Sequence, residues 1–259
     1  MTTSLPRIGV LGGMGPLATA DFFAKLTRAT PAMRDQDHFP VTLESAPQIP
    51  DRVAAMQGRG EDVLRALRAV AQRLIDAGCD VIAMPCNTAH LWHAALAAEL
   101  PVPFLHIADA VAAQLREVRS EPGGAERKVG LMGTTATLAS RLYQDRIADL
   151  SGGGVEWALP TGDEMSSAVM PGVAAVKRDE ISAARALLLP VALRLAAHGI
   201  DALVLGCTEI PLAISQADFA QASGAESSCM RVVDATDALA RATVDAALKL
   251  RDSGARRAA

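Results

Sequence analysis

The chain has 259 residues, half of them hydrophobic, which suffices for one large domain or two ordinary ones with a sizeable core. A formal net charge of -4, with 29 acidic and 25 basic residues and 3% aromatics, provides neither the basic stripe nor the aromatic platform that nucleic acid requires. No segment has the roughly 18 uninterrupted apolar residues of a membrane span. Residues 1–7 do not read as a secretory leader, because the apolar run at 8–11 is short and ends in glycine. Four cysteines without CxxC spacing fit a reducing compartment rather than a disulfide framework or a zinc site. A soluble cytoplasmic protein is expected, with no nucleic-acid or membrane partner.

Residues 7–12 read as a buried parallel strand, 13–16 as a turn and 17–29 as a helix with Pro16 in its first turn. A polar loop at 33–39 precedes a second strand at 41–45, which ends in the stiff loop Pro47-Gln48-Ile49-Pro50-Asp51-Arg52. Val63, Leu67, Val70 and Leu74 lie at helical spacing and predict an amphipathic helix over 61–77, stopped by Gly78. A third strand at 80–84 leads into a loop carrying Cys86. A helix at 89–100, a strand at 103–107 and a helix at 108–118 complete the first half. Ser120-Glu-Pro-Gly-Gly-Ala-Glu126 reads as a linker. The second half repeats the order: strand 128–132, loop 134–137, helix 139–150, turn 151–154 and strand 155–159. A helix at 180–198 containing Pro190 precedes a strand at 201–205, the Cys207 loop, a short strand at 229–233 and a closing helix at 235–250. Residues 251–259 read as frayed.

Three landmarks share one offset. Cys86 and Cys207 lie 121 residues apart, as do Asp80 and Asp201, and Ile8 and Val129. This is the mark of an internal duplication with one cysteine at the same place in each half. Alternating strands and helices imply an α/β fold of two pseudo-symmetric domains, each a parallel sheet flanked by helices. The expected domains are 1–118 with the closing helix 234–259, and 119–233. Ligands in such sheets bind at the carboxyl ends of strands, so an active site between the domains would hold both cysteines.

A thiolate is a good base and a thiol a good acid near neutrality. Both cysteines precede an expected helix start, whose free N–H groups favour the anion. Two such groups on opposite faces of one substrate can remove a proton from one side and return a proton to the other, which inverts a stereocentre without cofactor or metal. The developing enediolate needs donors around the carboxyl group. Asn87 and Thr88 lie beside Cys86, Thr208 beside Cys207, and Thr134 and Thr135 follow the opening strand of the second half. Arg52 ends a rigid loop and is suited to a bidentate carboxylate contact. Met14 is a candidate wall of the site, and Glu209 a candidate to tune Cys207 or cap the next helix. His90 could orient Cys86 or simply pack. Cys79 and Cys229 have no counterpart in the other half and read as small buried hydrophobes. The glycines between Gly9 and Gly15 miss the G-x-G-x-x-G register, and no acidic strand end follows about 20 residues later, so a dinucleotide site is not expected.

Four ordered motifs carry a resemblance spanning about residues 7–250. They are Ile8-Gly-Val-Leu-Gly-Gly-Met-Gly-Pro-Leu-Ala-Thr19, Pro47-Gln48-Ile-Pro-Asp-Arg52, Met84-Pro-Cys-Asn-Thr-Ala-His90 and Gly206-Cys-Thr-Glu209. Together they resemble the cofactor-independent aspartate/glutamate racemase family, aspartate racemases above all. The resemblance implies a two-domain α/β homodimer, no pyridoxal phosphate, an amino-acid substrate, and Cys86 and Cys207 as the acid/base pair. It also implies that Arg52, Asn87, Thr88 and Thr208 grip the amino acid, and Met14, Gln48, Thr134, Thr135 and Glu209 complete the expected substrate-binding set. One stretch departs. A lysine is implied shortly after Pro160-Thr-Gly-Asp-Glu164, yet the chain reads Met165-Ser-Ser-Ala-Val-Met170, and Lys177 is the nearest lysine beyond it. This leaves the substrate side chain open. Related enzymes include hydantoin racemases, maleate isomerases and arylmalonate decarboxylases, so another reaction on the same fold is an alternative. A non-catalytic amino-acid-binding protein is a third reading, for which the two cysteines have no use.

Overall fold

The apolar stretch after Arg7 forms β1 (Ile8–Gly12), buried at all five residues, as a strand covered on both faces must be. The computed structural model describes residues 5–58, 62–118, 127–151, 154–222 and 230–257. Helix α1 (Pro16–Ala29) links β1 to β2 (Val41–Ser45), and α2 (Arg52–Met56) with α3 (Val63–Asp76) links β2 to β3 (Val81–Ala83). The strands pair in parallel in the order β2-β1-β3. Val63, Leu67, Val70 and Leu74 are all buried along α3, as their spacing predicts.

Two expectations in this half need correction. Residues 103–107 form no strand; one parallel bridge joins Phe104 to Ile82. Pro101 and Pro103 have no N–H to donate, which keeps a longer ladder from forming. The helix expected at 89–100 is a 3₁₀ turn (Thr88–Trp92) followed by the short α4 (His93–Ala97).

The second half contains α5 (Ile107–Glu117), β4 (Arg127–Gly133), α6 (Thr135–Ala139), α7 (Leu142–Ser151), β5 (Val155–Ala158) and α8 (Gly162–Glu164). One π turn (Met165–Val169) leads into α9 (Met170–Lys177), α10 (Ile181–Ala197), β6 (Ala202–Gly206), α11 (Gln216–Ala222), β7 (Arg231–Asp234) and α12 (Ala235–Arg257). The strands are parallel in the order β5-β4-β6-β7. The loop expected at 134–137 is instead the cap and first turn of α6, because Thr134 accepts from the Thr137 N–H. Arg141, at φ 55, separates α6 from α7 where one helix over 139–150 is expected. α10 runs through Pro190 without ending. α12 continues to Arg257 rather than fraying at 251. The linker at 120–126 and Cys229 lie outside the described residues.

The duplication reappears as geometry. The Arg7 N–H donates to Asp80 Oδ2 at 2.7 Å and the Lys128 N–H to Asp201 Oδ2 at 2.9 Å. Gly78 and Gly199, also 121 residues apart, follow α3 and α10 with φ of 74° and 69°. A Cβ on Gly9 would stand 3.2 Å from Ile82 Cγ1, and one on Gly130 would stand 2.8 Å from Leu203 Cδ1. The chain divides into two compact units, Met1–Ile107 with Thr236–Ala259, and Ala108–Ala235. The boundary expected at 118 falls after α5. By contact, α5 groups with the second unit: Asp109 pairs with Arg146 at 2.6 Å, and the Leu115 carbonyl accepts from Arg127 Nη1 at 2.6 Å. Leu11, Leu67, Leu74 and Ile82 are central to the first core, and Met132, Val169, Leu188 and Phe219 to the second. Among the described residues no helix is long and apolar enough to cross a membrane.

Candidate active site

In the first unit the chain leaves β3 through Met84 and Pro85 and reaches Cys86. Cys86, Asn87 and Thr88 are all buried. The turn between β1 and α1 is pinned by Thr19, whose hydroxyl accepts from the Gly13 N–H and donates to the Gly15 carbonyl, both at 2.8 Å. Gly13 has φ 94°, and a Cβ there would lie 2.2 Å from Ala46 N. Only glycine lets this turn press against the loop that follows β2. In that loop Asp51 caps α2 by accepting from the Ala54 N–H at 2.8 Å. Arg52 Nη1 donates to the Ile49 and Pro50 carbonyls, each at 3.1 Å, so the guanidinium is held by its own loop. α2 packs against the 3₁₀ turn after Cys86. Met14, Ile49, Met84 and Cys86 share one buried cluster. Met14, Arg52, Cys86, Asn87 and Thr88 are thus gathered at the carboxyl end of this sheet. Gln48 lies in the same loop but is exposed.

In the second unit Gly133 pairs with Gly206, which sets Thr134 and Cys207 side by side just past the strand ends. Thr134 caps α6, and its Oγ1 lies 3.1 Å from Thr137 N and 3.0 Å from Thr137 Oγ1. Thr135 is half-buried in the first turn of α6. The Cys207 thiol donates to Glu209 Oε2 at 3.0 Å, and the Thr208 hydroxyl donates to the same oxygen at 3.2 Å. All three residues are buried. Glu209 therefore ties Cys207 and Thr208 into one network.

The electrostatics correct one expectation. A 3₁₀ turn, not an α-helix, follows each cysteine: Thr88–Trp92 in one half and Ile210–Leu212 in the other. Turns this short build little dipole. At Cys207, burial pushes the thiol well above its ordinary value, and the charge and hydrogen bond of Glu209 push it further. The Glu209 backbone N–H and the charge of Lys177 act in the opposite direction but do not prevail. Lys177 ends α9, and α9 packs on the turn Ile210–Leu212.

Several contributors escape the sequence reading. Tyr143 is fully buried, and a Cβ on Gly206 would meet its Cε2 at 3.1 Å. Burial raises the Tyr143 phenol well above its ordinary value, with charge on Cys207 and Asp234 acting the same way. The signal for Tyr143 was available, since Phe22 stands 121 residues earlier and is equally buried. Thr137 is another, invisible until Thr134 is known to cap a helix. His93 and His106 are two more, forming a ring cluster with His90 beside Cys86. Among the described residues no group of three or more His, Cys, Asp or Glu side chains is arranged to hold a metal ion. Each unit thus presents a buried thiol at the carboxyl end of a parallel sheet. One thiol lies beside an amide and a hydroxyl, the other beside a carboxylate and hydroxyls.

Residues 11–243 match the family model described as Asp/Glu/Hydantoin racemase. The chain belongs to this family and is an amino-acid racemase. It is 28% identical over 242 residues to the broad specificity amino-acid racemase RacX of Bacillus subtilis, covering 92% of this chain and 96% of that one. The structure of Picrophilus torridus aspartate racemase superposes with a TM-score of 0.78 at 32% identity, covering 93% of this chain and 94% of the other. A glutamate racemase of Deinococcus radiodurans is 31% identical over 220 residues, 81% of this chain and 65% of that one.

Proposed function

We propose that the protein interconverts L- and D-aspartate, or a related amino acid, by proton transfer between Cys86 and Cys207 without pyridoxal phosphate. The observation that carries this reading is the repetition itself: each half sets one buried cysteine, with its own polar neighbours, just past an equivalent strand. In one direction a thiolate takes the α-proton and becomes a thiol. The other thiol gives its proton to the opposite face of the planar intermediate and becomes a thiolate. Atoms balance, and the next turnover of the product enantiomer runs the two roles in reverse. Arg52, Asn87, Thr88, Thr134, Thr135 and Thr208 are the donors proposed for the carboxylate and the developing enediolate, worth about 3–4 kcal/mol for a well-placed donor. The raised Cys207 thiol suits the group that still holds its proton when substrate arrives. Aspartate is proposed first because the Picrophilus enzyme is an aspartate racemase. The breadth in the name of RacX makes a wider panel the proper test.

The test is α-proton loss in deuterated water, followed by NMR over a panel of L- and D-amino acids without added pyridoxal phosphate. Exchange with inversion is expected for at least one acidic amino acid. Cys86→Ser and Cys207→Ser should each abolish racemisation, yet each should keep exchange of one enantiomer, a different one in the two variants. Full racemisation by either variant would sink the two-base scheme. A trapped cysteine adduct seen by mass spectrometry would instead point to a maleate-isomerase type of reaction. A cytoplasmic homodimer is the proposed setting, and light scattering of the purified chain tests the dimer.

A further inference from the structure

We infer that His90 is a positioning residue for Cys86, holding the cysteine's backbone carbonyl so that the thiol stays in one place. The inference rests on the reading of Cys86 as a proton-transfer group. His90 is buried four residues after Cys86, and its Nδ1 lies 2.9 Å from the Cys86 carbonyl oxygen. A carbonyl oxygen can only accept, so Nδ1 carries the hydrogen. The His90 backbone N–H goes elsewhere, to the Asn87 carbonyl at 3.0 Å. In an α-helix that N–H would have reached Cys86. Here the backbone tightens into a 3₁₀ turn, and the imidazole of the same residue makes the bond back to Cys86.

The other half solves the same problem differently. The Cys207 carbonyl accepts from the Ile210 N–H at 3.1 Å. The position equivalent to His90 is Pro211, which has no donor at all. A side chain therefore does in the first half what a backbone amide does in the second. The His90 ring is itself held. His106 meets it edge-on at 4.9 Å between centroids and His93 stacks on it at 5.6 Å. His93 is fixed in turn by stacking on Phe104 at 4.5 Å and by Nε2 donating to the Phe104 carbonyl at 2.9 Å. Turning the peptide plane after Cys86 would move the thiol together with Asn87 and Thr88. Fixing its carbonyl fixes all three.

The test uses His90→Ala, His90→Asn and His90→Gln, each placed in the Cys207→Ser and the Cys86→Ser backgrounds. The asparagine amide nitrogen occupies the place of Nδ1, whereas the glutamine amide extends to the place of Nε2, so the pair separates the hydrogen bond from simple filling of space. Misplacing a reacting group by an ångström or less costs about tenfold or more in rate. We expect His90→Ala and His90→Gln to slow Cys86-dependent α-proton exchange by about that factor, His90→Asn to restore most of it, and Cys207-dependent exchange, which draws on Asn87 and Thr88 but not on the Cys86 thiol, to fall clearly less. Equal loss in both backgrounds, or no rescue by asparagine, overturns the inference. If the unmodified protein exchanges no α-proton at all, the proton-transfer reading fails and alkylation decides for His90 alone. An altered ratio of Cys86 to Cys207 alkylation in the alanine and glutamine variants, normal in the asparagine variant, supports the clamp; an unaltered ratio overturns it.

Discussion

Glu209 is the side chain at which the charge beside a reacting thiol can be removed with little change of shape. Its carboxylate raises the Cys207 thiol both through space and by direct contact. Glu209→Gln keeps the volume and removes the charge, so the thiol should fall back toward its ordinary value without reaching it, because burial remains the larger cause. The thiolate fraction below the pKa grows about tenfold for each unit recovered. Iodoacetamide should therefore modify Cys207 faster in Glu209→Gln at a given pH, with Cys86 in the same sample as the reference; an unchanged rate would remove Glu209 from the account of the thiol. His90 supplies a second prediction of definite sign. Burial lowers its imidazole well below the ordinary value of 6.5, and charge on His106 and His93 acts the same way. The folded chain thus refuses a proton that the unfolded chain accepts. As pH falls below about 6.5, stability should drop by up to about 1.4 kcal/mol per unit from this group, until the folded form also titrates. Urea midpoints at about pH 7.5 and 5.5 should fall less for His90→Asn than for the parent chain.

Among the elements, the two helix ends at Gly78 and Gly199 allow a clean comparison. Both have positive φ, and a Cβ at either would meet nothing within 4 Å. Alanine there pays only for the left-handed backbone, about 1–2 kcal/mol at each position. Gly13→Ala must also displace Ala46 N, 2.2 Å from the new Cβ, and should destabilise far more, as thermal unfolding would register. Leu67→Ala, in the buried stripe of α3, should lose about 2–5 kcal/mol. These are the elements the sequence makes legible: a period of 3.6 over Val63–Leu74 and a glycine stop. The misreadings have local causes. Thr134 looks like a loop residue until its oxygen is seen to cap α6. The stretch from 89 to 100 has helical composition, but the His90 imidazole and a 3₁₀ turn occupy its start. Residues 160–179 carry no clear period because a π turn sits between α8 and α9 and shifts the register of the buried face. The places of Cys86, Cys207 and Arg52 could be read from motif and offset. Their partners in three dimensions could be read only in part: Glu209 beside Cys207 follows from adjacency, whereas the His90 imidazole turning to the Cys86 carbonyl depends on side-chain direction rather than spacing.

Taken as a whole, the molecule is two copies of one plan that have become chemically unequal, and thermodynamics decides where the inequality can show. Position 90 is histidine in one copy while its equivalent, 211, is proline; position 209 is glutamate while its equivalent, 88, is threonine. L- and D-amino acids have the same free energy in water, so the equilibrium constant of racemisation is one. The ratio kcat/KM must then be equal for the two enantiomers at every pH, however different the two thiols are. Their difference can appear only in kcat and KM taken separately, and in the one-sided exchange of the single-cysteine variants. In Cys86→Ser the surviving base is Cys207, whose thiol lies well above the ordinary 9.0. A base is active only when deprotonated, so its α-proton exchange should still be climbing where an ordinary thiol has levelled off. Adding Glu209→Gln should move that climb to lower pH. Profiles of α-proton loss in deuterated water for Cys86→Ser, with and without Glu209→Gln, would check both statements. A plateau below the ordinary thiol range in Cys86→Ser alone would mean that bound substrate, not the free protein, sets the state of Cys207.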